Sequence, residues 1–307
     1  MLRNFQEVIE HAKHCGKVPI SVAVAQDKDV LQAVKLACDA GLAQPILVGD
    51  AAAIRLLLAE TGLPADTAIV DEPDKNKAAL AAVALVHEGV ATVLMKGLLN
   101  SSDFLKAVLN AETGLRTGRL LSHLAAFEVP GETKLIFHSD AGLNIAPNLA
   151  EKKDILINAM LTLQGLGIEQ PNVAVLTANE QVSPRMPATT DAKALAEMAA
   201  EGKLPAGIVE GPISLDVAVS LDAARHKGLP SRVSGQVDLF LMPNIEAGNA
   251  LCKSLIYYAK GKMAGIVIGA TNPIVLTSRA DAPEAKLYSI ALACLAAARR
   301  KGVEYQC

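Results

Sequence analysis

The chain is 307 residues long, and at about 150 residues per domain that length points to two domains. Lys and Arg number 29 against 32 Asp and Glu, and the resulting net charge of −3 excludes a strongly basic nucleic-acid binder. Hydrophobic residues make up 51% but aromatics only 3%, so the cores must be built from Ala, Val, Leu and Ile, and a base-stacking platform for single strands is disfavoured. Leu2, Phe5, Ile9 and Ala12 stand at helical spacing and open the chain with an amphipathic helix. Then follow a strand at 21–25, a helix near 29–40, a strand at 45–50, a helix near 51–60, a strand at 67–72, a helix near 76–88 and a strand at 92–97. Such alternation is the pattern of a largely parallel sheet covered by helices on both faces.

A second series runs through strands at 123–129 and 133–140, a helix near 149–165, a strand at 173–178, a helix near 190–201 and a strand at 207–213. A strand at 238–244 and a helix near 246–260 continue it. The VPGET turn at 129–133 predicts a hairpin, hence a mixed second sheet. The strands at 264–270 and 273–278 and the helix near 283–300 have no room for a domain of their own. The expected division is therefore 1–122 with 264–307 as one α/β domain and 123–263 as the other.

No apolar run approaches the roughly 18 residues of a membrane span, and the opening MLRNFQEVIEHAKHC does not read as a signal peptide. Five scattered Cys without a C-x-x-C pair read as reduced thiols, so a soluble cytoplasmic chain is expected. His11, His14 and Cys15 carry metal-ligating atoms but lack a second ligand cluster at zinc spacing, and read as the polar face of the first helix. The dinucleotide fingerprint, the Walker loop and the G-x-S-x-G elbow are all missing.

Chemistry is expected where strands end, because helix N-termini there present free N–H groups to anions. Lys96 and Gly97 close one strand and lead through Asn100, Ser101, Ser102 and Asp103 into a helix carrying Lys106. Gly97 would allow close approach of the backbone, while Ser and Asp alone would mark an ordinary capped helix. Arg116, Thr117, Gly118 and Arg119 set two guanidiniums around a turn. After the strand at 133–140 come Asp140, Gly142 and Asn144, residue types that also form turns. Asn244, Glu246, Gly248 and Asn249 open the helix near 246. The most informative stretch ends an apolar strand in Thr277, Ser278 and Arg279 before a helix starting at Pro283 and Glu284. A guanidinium placed there can grip a phosphate through two donors.

These residues resemble, in order and over nearly the whole chain, the phosphate acyltransferases, the phosphate acetyltransferase and butyryltransferase family. MKGLLNSSDFLKAVL, GLRTGRLLSH, FHSDAGLNIAPNLAEK, EGPISLDVAVS, LMPNIEAGNALCKSL and PIVLTSRAD carry the resemblance, and GLRTGRLLSH and TSRADAPEAKLYSIALA look most like the butyryl branch. The resemblance implies the reversible reaction acyl-CoA + phosphate = acyl phosphate + CoA, by direct attack in a ternary complex. It implies an isocitrate/isopropylmalate-dehydrogenase-like α/β fold of two domains with an interdomain cleft, and a homodimer. CoA enters as substrate or product; the chemistry calls for no metal and no redox cofactor. Ser278 and Arg279 match the family's catalytic pair, and Glu284 falls near the acetyl branch's catalytic Asp, although the second acid of that branch is Ala285 here. Lys106 falls where the acetyl branch has an active-site Arg. Lys96, Gly97, Lys106, Arg116, Thr117, Asp140, Asn144 and Asn249 are the expected substrate-binding residues. Competing expectations are a phosphate acetyltransferase, a metal-dependent dehydrogenase of the same fold, and a catalytically silent binder of acyl-CoA or acyl phosphate.

Overall fold

The structure is a computed structural model that describes residues 2–277 and 281–300, except for the side chains of residues 299 and 300. In chain order its elements are α1 (Phe5–His14), β1 (Val18–Ala23), α2 (Lys28–Asp39), β2 (Ala43–Gly49), α3 (Ala51–Thr61), β3 (Ala68–Asp71), α4 (Lys75–His87), β4 (Val93–Lys96) and α5 (Ser101–Val108). Next come β5 (Ser122–Glu128), β6 (Ile136–Ser139), α6 (Leu149–Gly165), β7 (Asn172–Leu176), α7 (Pro187–Ala200), β8 (Ile208–Ile213), α8 (Leu215–Val219), α9 (Leu221–His226), β9 (Leu239–Leu241) and α10 (Ile245–Tyr257). The series ends with β10 (Lys262–Ile268), β11 (Ile274–Val275) and α11 (Pro283–Arg300). The chain divides into two compact units, one of Asn4–Arg119 with Met263–Cys307, the other of Met1–Arg3 with Leu120–Lys262.

In the first unit the strands lie in the order β3-β2-β1-β4-β11-β10. All neighbours are parallel except β10 and β11, which pair antiparallel. Asp27, Asp50 and Asp74 each turn a side-chain oxygen onto the free N–H groups at the starts of α2, α3 and α4, which is why the helices begin there. Helix α4 packs on β1, β2 and β4, and the hydroxyl of Ser21 donates to the Ala82 carbonyl. Ile20 and Val22 alternate with Ser21 and so point to the other face of the sheet. Helix α11 packs against α1, α2, β4 and β11, with Phe5 and Tyr288 stacked at 4.7 Å between ring centres.

In the second unit the order is β5-β6-β9-β7-β8, with β5 and β6 antiparallel and the rest parallel. The VPGET turn closes the β5–β6 hairpin, with Glu132 N donating to Val129 O at 3.0 Å. Buried Asn158 on α6 donates to the Leu120 carbonyl at 2.8 Å and to Ser122 Oγ at 3.2 Å, which sets α6 against the start of β5. Val217, Ala218, Ala224, Val233, Phe240 and Met242 close a core beneath α8 and α9.

Among the departures from the sequence expectation, four have a clear local reason. Helix α7 starts at Pro187 rather than near 190, because proline fits the first helical turn without losing a hydrogen bond. Helix α10 stops at Tyr257, short of 260, where Lys260 adopts a left-handed conformation (φ 58°). Helices α8 and α9 were not expected: at five and six residues they are too short to show a period, and Ser220 ends one and caps the other. The apolar run at 273–278 gives a strand only at Ile274–Val275, because one strand partner, β10, reaches it through a single antiparallel pair.

Candidate active site

The carboxyl ends of three parallel strands lie side by side in the first unit. Ala23 of β1 pairs with Lys96 of β4, and Met95 of β4 pairs with Val275 of β11. Buried Lys96 donates from Nζ to the carbonyls of Gly97 (3.2 Å) and Leu99 (3.1 Å), so loop dipoles hold the ammonium at the strand end. A Cβ on Gly97 would lie 2.3 Å from Val24 O and 2.6 Å from Ala23 O. The close approach that Gly97 permits is therefore to the chain's own β1–α2 turn. Gly97 N and Leu98 N donate to those same two carbonyls, each at 2.8 Å. Val24 is fully buried with φ at 55°, a left-handed conformation that β-branched residues rarely adopt. Nothing in the local sequence marks that turn, since valine is not a left-handed residue type.

Ser278 and Arg279 lie outside the described residues; Thr277 and Asp281 are the described positions on either side. Glu284 is exposed in the first turn of α11, where a carboxylate complements the helix N-terminus. Two residues on, Lys286 is buried at 2% exposure and its ammonium donates to the Asp281 carbonyl. Sequence reading passed over this lysine, because PEAKLYS reads as an ordinary amphipathic first turn. Arg116 is exposed, and its backbone forms an antiparallel bridge with Ala270. Thr117 Oγ1 donates to the Gly269 carbonyl, and Thr271 N to Leu115 O at 2.9 Å. Residues 115–117 are thus sewn to the turn between β10 and β11. Lys106 stands 79% exposed on α5 with Asp103 at 3.4 Å. It lines a groove of about 290 Å³ with Asn76, Leu80, Asp103, Ala107 and Asn110. An adjoining hollow of about 330 Å³ is lined by Lys75, Asn76, Leu98, Leu99, Asn100 and Asp103.

The remaining expected residues belong to the second unit and form one network. Buried Asp140 accepts from His123 N (2.9 Å) and Asn144 Nδ2 (2.7 Å) on one oxygen, and from Gly142 N (2.8 Å) and Leu143 N (2.9 Å) on the other. Asn144 also donates to the Leu121 carbonyl at 2.9 Å, and Asn249 to the Ala141 carbonyl at 3.3 Å. A Cβ on Gly248 would lie 2.9 Å from Ala141 Cα, so glycine lets α10 rest on the 140–141 backbone. The polar groups of Asp140 and Asn144 are engaged in shaping the loop after β6.

A family model described as phosphate acetyl/butaryl transferase matches residues 66–294. The phosphate butyryltransferase of Clostridium acetobutylicum is 46% identical over 301 residues, covering 98% of this chain and 100% of the relative. This chain belongs to that family. A branched-chain phosphotransacylase from Enterococcus faecalis superposes with a TM-score of 0.81 at 33% identity, covering 91% of this chain and 99% of that one. A 4-hydroxythreonine-4-phosphate dehydrogenase from Klebsiella pneumoniae shares the fold at a TM-score of 0.55 and 15% identity, over 92% of this chain and 100% of that chain.

For a member of this family the cysteines decide whether the acyl group can pass through a thiolate. By sequence none of the five Cys sits in a recognisable Cys–His nucleophile motif. The structure brings Cys252 Sγ to 3.6 Å from His138 Nδ1, across 114 residues of sequence. Burial pushes the Cys252 thiol up to about 12 and the His138 imidazole down to about 3. The pair is therefore a neutral thiol against a neutral ring that packs on Phe127 and Phe240, and not an activated nucleophile. Burial also raises Cys294 to about 12. Among the described residues no group of three or more His, Cys, Asp and Glu is placed to hold a metal ion, and no helix is long and apolar enough to cross a membrane.

Proposed function

We propose that the chain transfers a short acyl group, butyryl in preference to acetyl, between coenzyme A and inorganic phosphate. The relationship to a phosphate butyryltransferase over 98% of this chain and the whole of that relative carries this reading. An oxygen of the phosphate dianion attacks the thioester carbonyl, the C–S bond breaks, and the proton leaving phosphate ends on the CoA sulfur. Both substrates are anions, so the site must supply positive charge and stabilise a tetrahedral oxyanion. Arg279 grips the phosphate and Ser278 Oγ meets the oxyanion or the sulfur. Lys96, Lys106 and Arg116 add positive field, and Glu284 orients Arg279. Asp140, Asn144 and Asn249 shape the second unit's loops toward substrate, as Gly97 and Thr117 do in the first.

The chain acts as a homodimer in the cytoplasm. Exposed Leu215, Val219 and Leu221 support a subunit contact, and unpaired described cysteines fit a reducing compartment. The test is CoA release from acetyl-, propionyl-, butyryl- and isobutyryl-CoA, with and without phosphate. Phosphate-dependent release, fastest with a four-carbon thioester, is expected. Higher kcat/KM with acetyl-CoA would move the chain to the acetyl branch, and tight binding without release would make it a silent binder.

A further inference from the structure

Beside β8, the strand at the edge of its sheet, the second unit holds a cavity of about 340 Å³. Its apolar wall includes Ala196 on α7, Val209 and Ile213 on β8, Val217 on α8, and Leu229. Ile213 and Val217 are core residues and Leu229 packs against that cluster, so the floor of the cavity is the core beneath α8 and α9. The polar lining is Glu180, Glu210 and Ser231. Such a volume, at the lower end for small-molecule sites, suits a ligand of few atoms.

The two carboxylates differ in how their charge is met. Glu180 Oε1 accepts from the Lys227 ammonium at 2.9 Å and from the Ser214 hydroxyl, and Lys227 also reaches Asp216 at 2.9 Å. That lysine is committed to its own two carboxylates. Glu210 receives neutral donors, Ser231 Oγ at 2.6 Å on Oε2 and Arg232 N at 2.8 Å on Oε1, and among the described residues it has no ion pair. Ser231 Oγ is itself fixed by Val233 N at 3.2 Å and Ser234 N at 3.0 Å, so Glu210 is held in one place. A carboxylate has about four acceptor positions, and these donors take two of them. The cavity therefore sets a fixed carboxylate without a counter-charge against an apolar wall. Anions are repelled there, a neutral ligand leaves the charge unmet, and no metal-holding group of three His, Cys, Asp or Glu exists among the described residues. A cation with an apolar body meets both halves of the lining.

We propose that this cavity binds a small primary alkylamine in its ammonium form, with the ammonium on Glu210 and the hydrocarbon chain against Val209, Val217 and Leu229. None of these residues is among those assigned above to CoA or phosphate, so the site is additional to acyl transfer. An alkylammonium, like the lysine side chain, keeps its charge well above pH 7. Its bond to a carboxylate is charge-assisted and about twice as strong as a neutral one.

The test is titration calorimetry of the full chain with pentylamine and with pentan-1-ol, its uncharged counterpart, at pH 7 in phosphate buffer, since Tris is itself a primary amine. Wild type should bind pentylamine saturably, one per chain, and pentanol at least tenfold more weakly. Glu210→Gln keeps an acceptor for Ser231 and Arg232 N but removes the charge. It should weaken pentylamine roughly tenfold or more, to the level of the alcohol, and leave the alcohol unchanged. Ala196→Phe, which fills the cavity and leaves Glu210 in place, should abolish binding of both; circular dichroism melts check that each variant is folded. Absence of saturable binding to wild type, or equal affinities for amine and alcohol, would overturn the proposal and leave Glu210 as an anchor for the 231–234 turn. So would wild-type affinity for pentylamine in a folded Glu210→Gln or Ala196→Phe variant, which would put the amine elsewhere.

Discussion

The buried His138 should make the second unit acid-sensitive by an amount that can be worked out. Its ring lies 4.8 Å from Phe127 and 5.2 Å from Phe240, and burial lowers its pKa from 6.5 to about 3. The unfolded chain therefore takes up a proton below pH 6.5 that the folded chain refuses until pH 3. Stability from this residue is complete above pH 6.5 and drains away as pH falls toward 3. By pH 4.5 the difference amounts to about two pK steps, roughly 3 kcal/mol, a large share of the 5–15 kcal/mol typical of a whole domain. Urea unfolding of wild type and of His138→Phe and His138→Gln at pH 7.5 and pH 4.5 isolates the effect, because carboxylates titrate in all three proteins. Wild type should lose about 2–3 kcal/mol more than either variant between those pH values. Parallel losses in all three would show that the imidazole can be protonated in place, and the reasoning from burial would fail.

Gly97→Ala should lower both Tm and kcat, because a Cβ 2.3 Å from the Val24 carbonyl must push β4 and the β1–α2 turn apart; thermal melts and steady-state kinetics read both. Cys252→Ser and Cys294→Ser should keep most activity if folded, and trapping an acyl-enzyme in the absence of phosphate would defeat direct transfer. Arg279→Ala should cut kcat roughly a hundredfold with phosphate varied at saturating butyryl-CoA, and Arg279→Lys less, since lysine keeps the charge but loses the paired donors. A folded Arg279→Ala enzyme with normal kcat and phosphate KM would remove that residue from the site.

Hydropathy periods were enough to read the main strands and helices, and the VPGET turn was enough to read the β5–β6 hairpin. Both signals are local. What escaped depended on residues far apart in sequence coming together. Gly97 reads as a ligand-facing glycine until β1 is known to lie beside β4, which puts the Val24 carbonyl against it. The reversal at 269–273 was missed because an apolar run such as PIVLTS looks the same whichever way its neighbour runs. His138 and Cys252 meet only once β6 and α10 are packed together. Asp140 and Asn144 were recognisable as turn formers or as ligands, and sequence alone offered no means of telling how many of their hydrogen bonds the chain itself would take.

Lys286 tests whether the position of the Ser278–Arg279 pair is set by bonds on both sides of it. On the N-terminal side, β11 is only two residues long, yet it is fixed by pairing with β4 and by the bonds from Leu115 and Thr117 to residues 269–271. On the C-terminal side, the Lys286 ammonium holds the Asp281 carbonyl two residues beyond Arg279. Lys286→Met keeps the length of the side chain in its buried place but removes the donor, a charge-assisted bond worth about 1.5–3 kcal/mol. If that bond positions a pair with the role proposed above, kcat should fall by roughly tenfold or more while the KM for butyryl-CoA changes little, because a pair with that role, once displaced, would fail mainly in stabilising the transition state. Lys286→Arg, which retains a cationic donor, should recover part of kcat. A fall in Tm with kcat unchanged in the folded fraction would confine Lys286 to holding the start of α11.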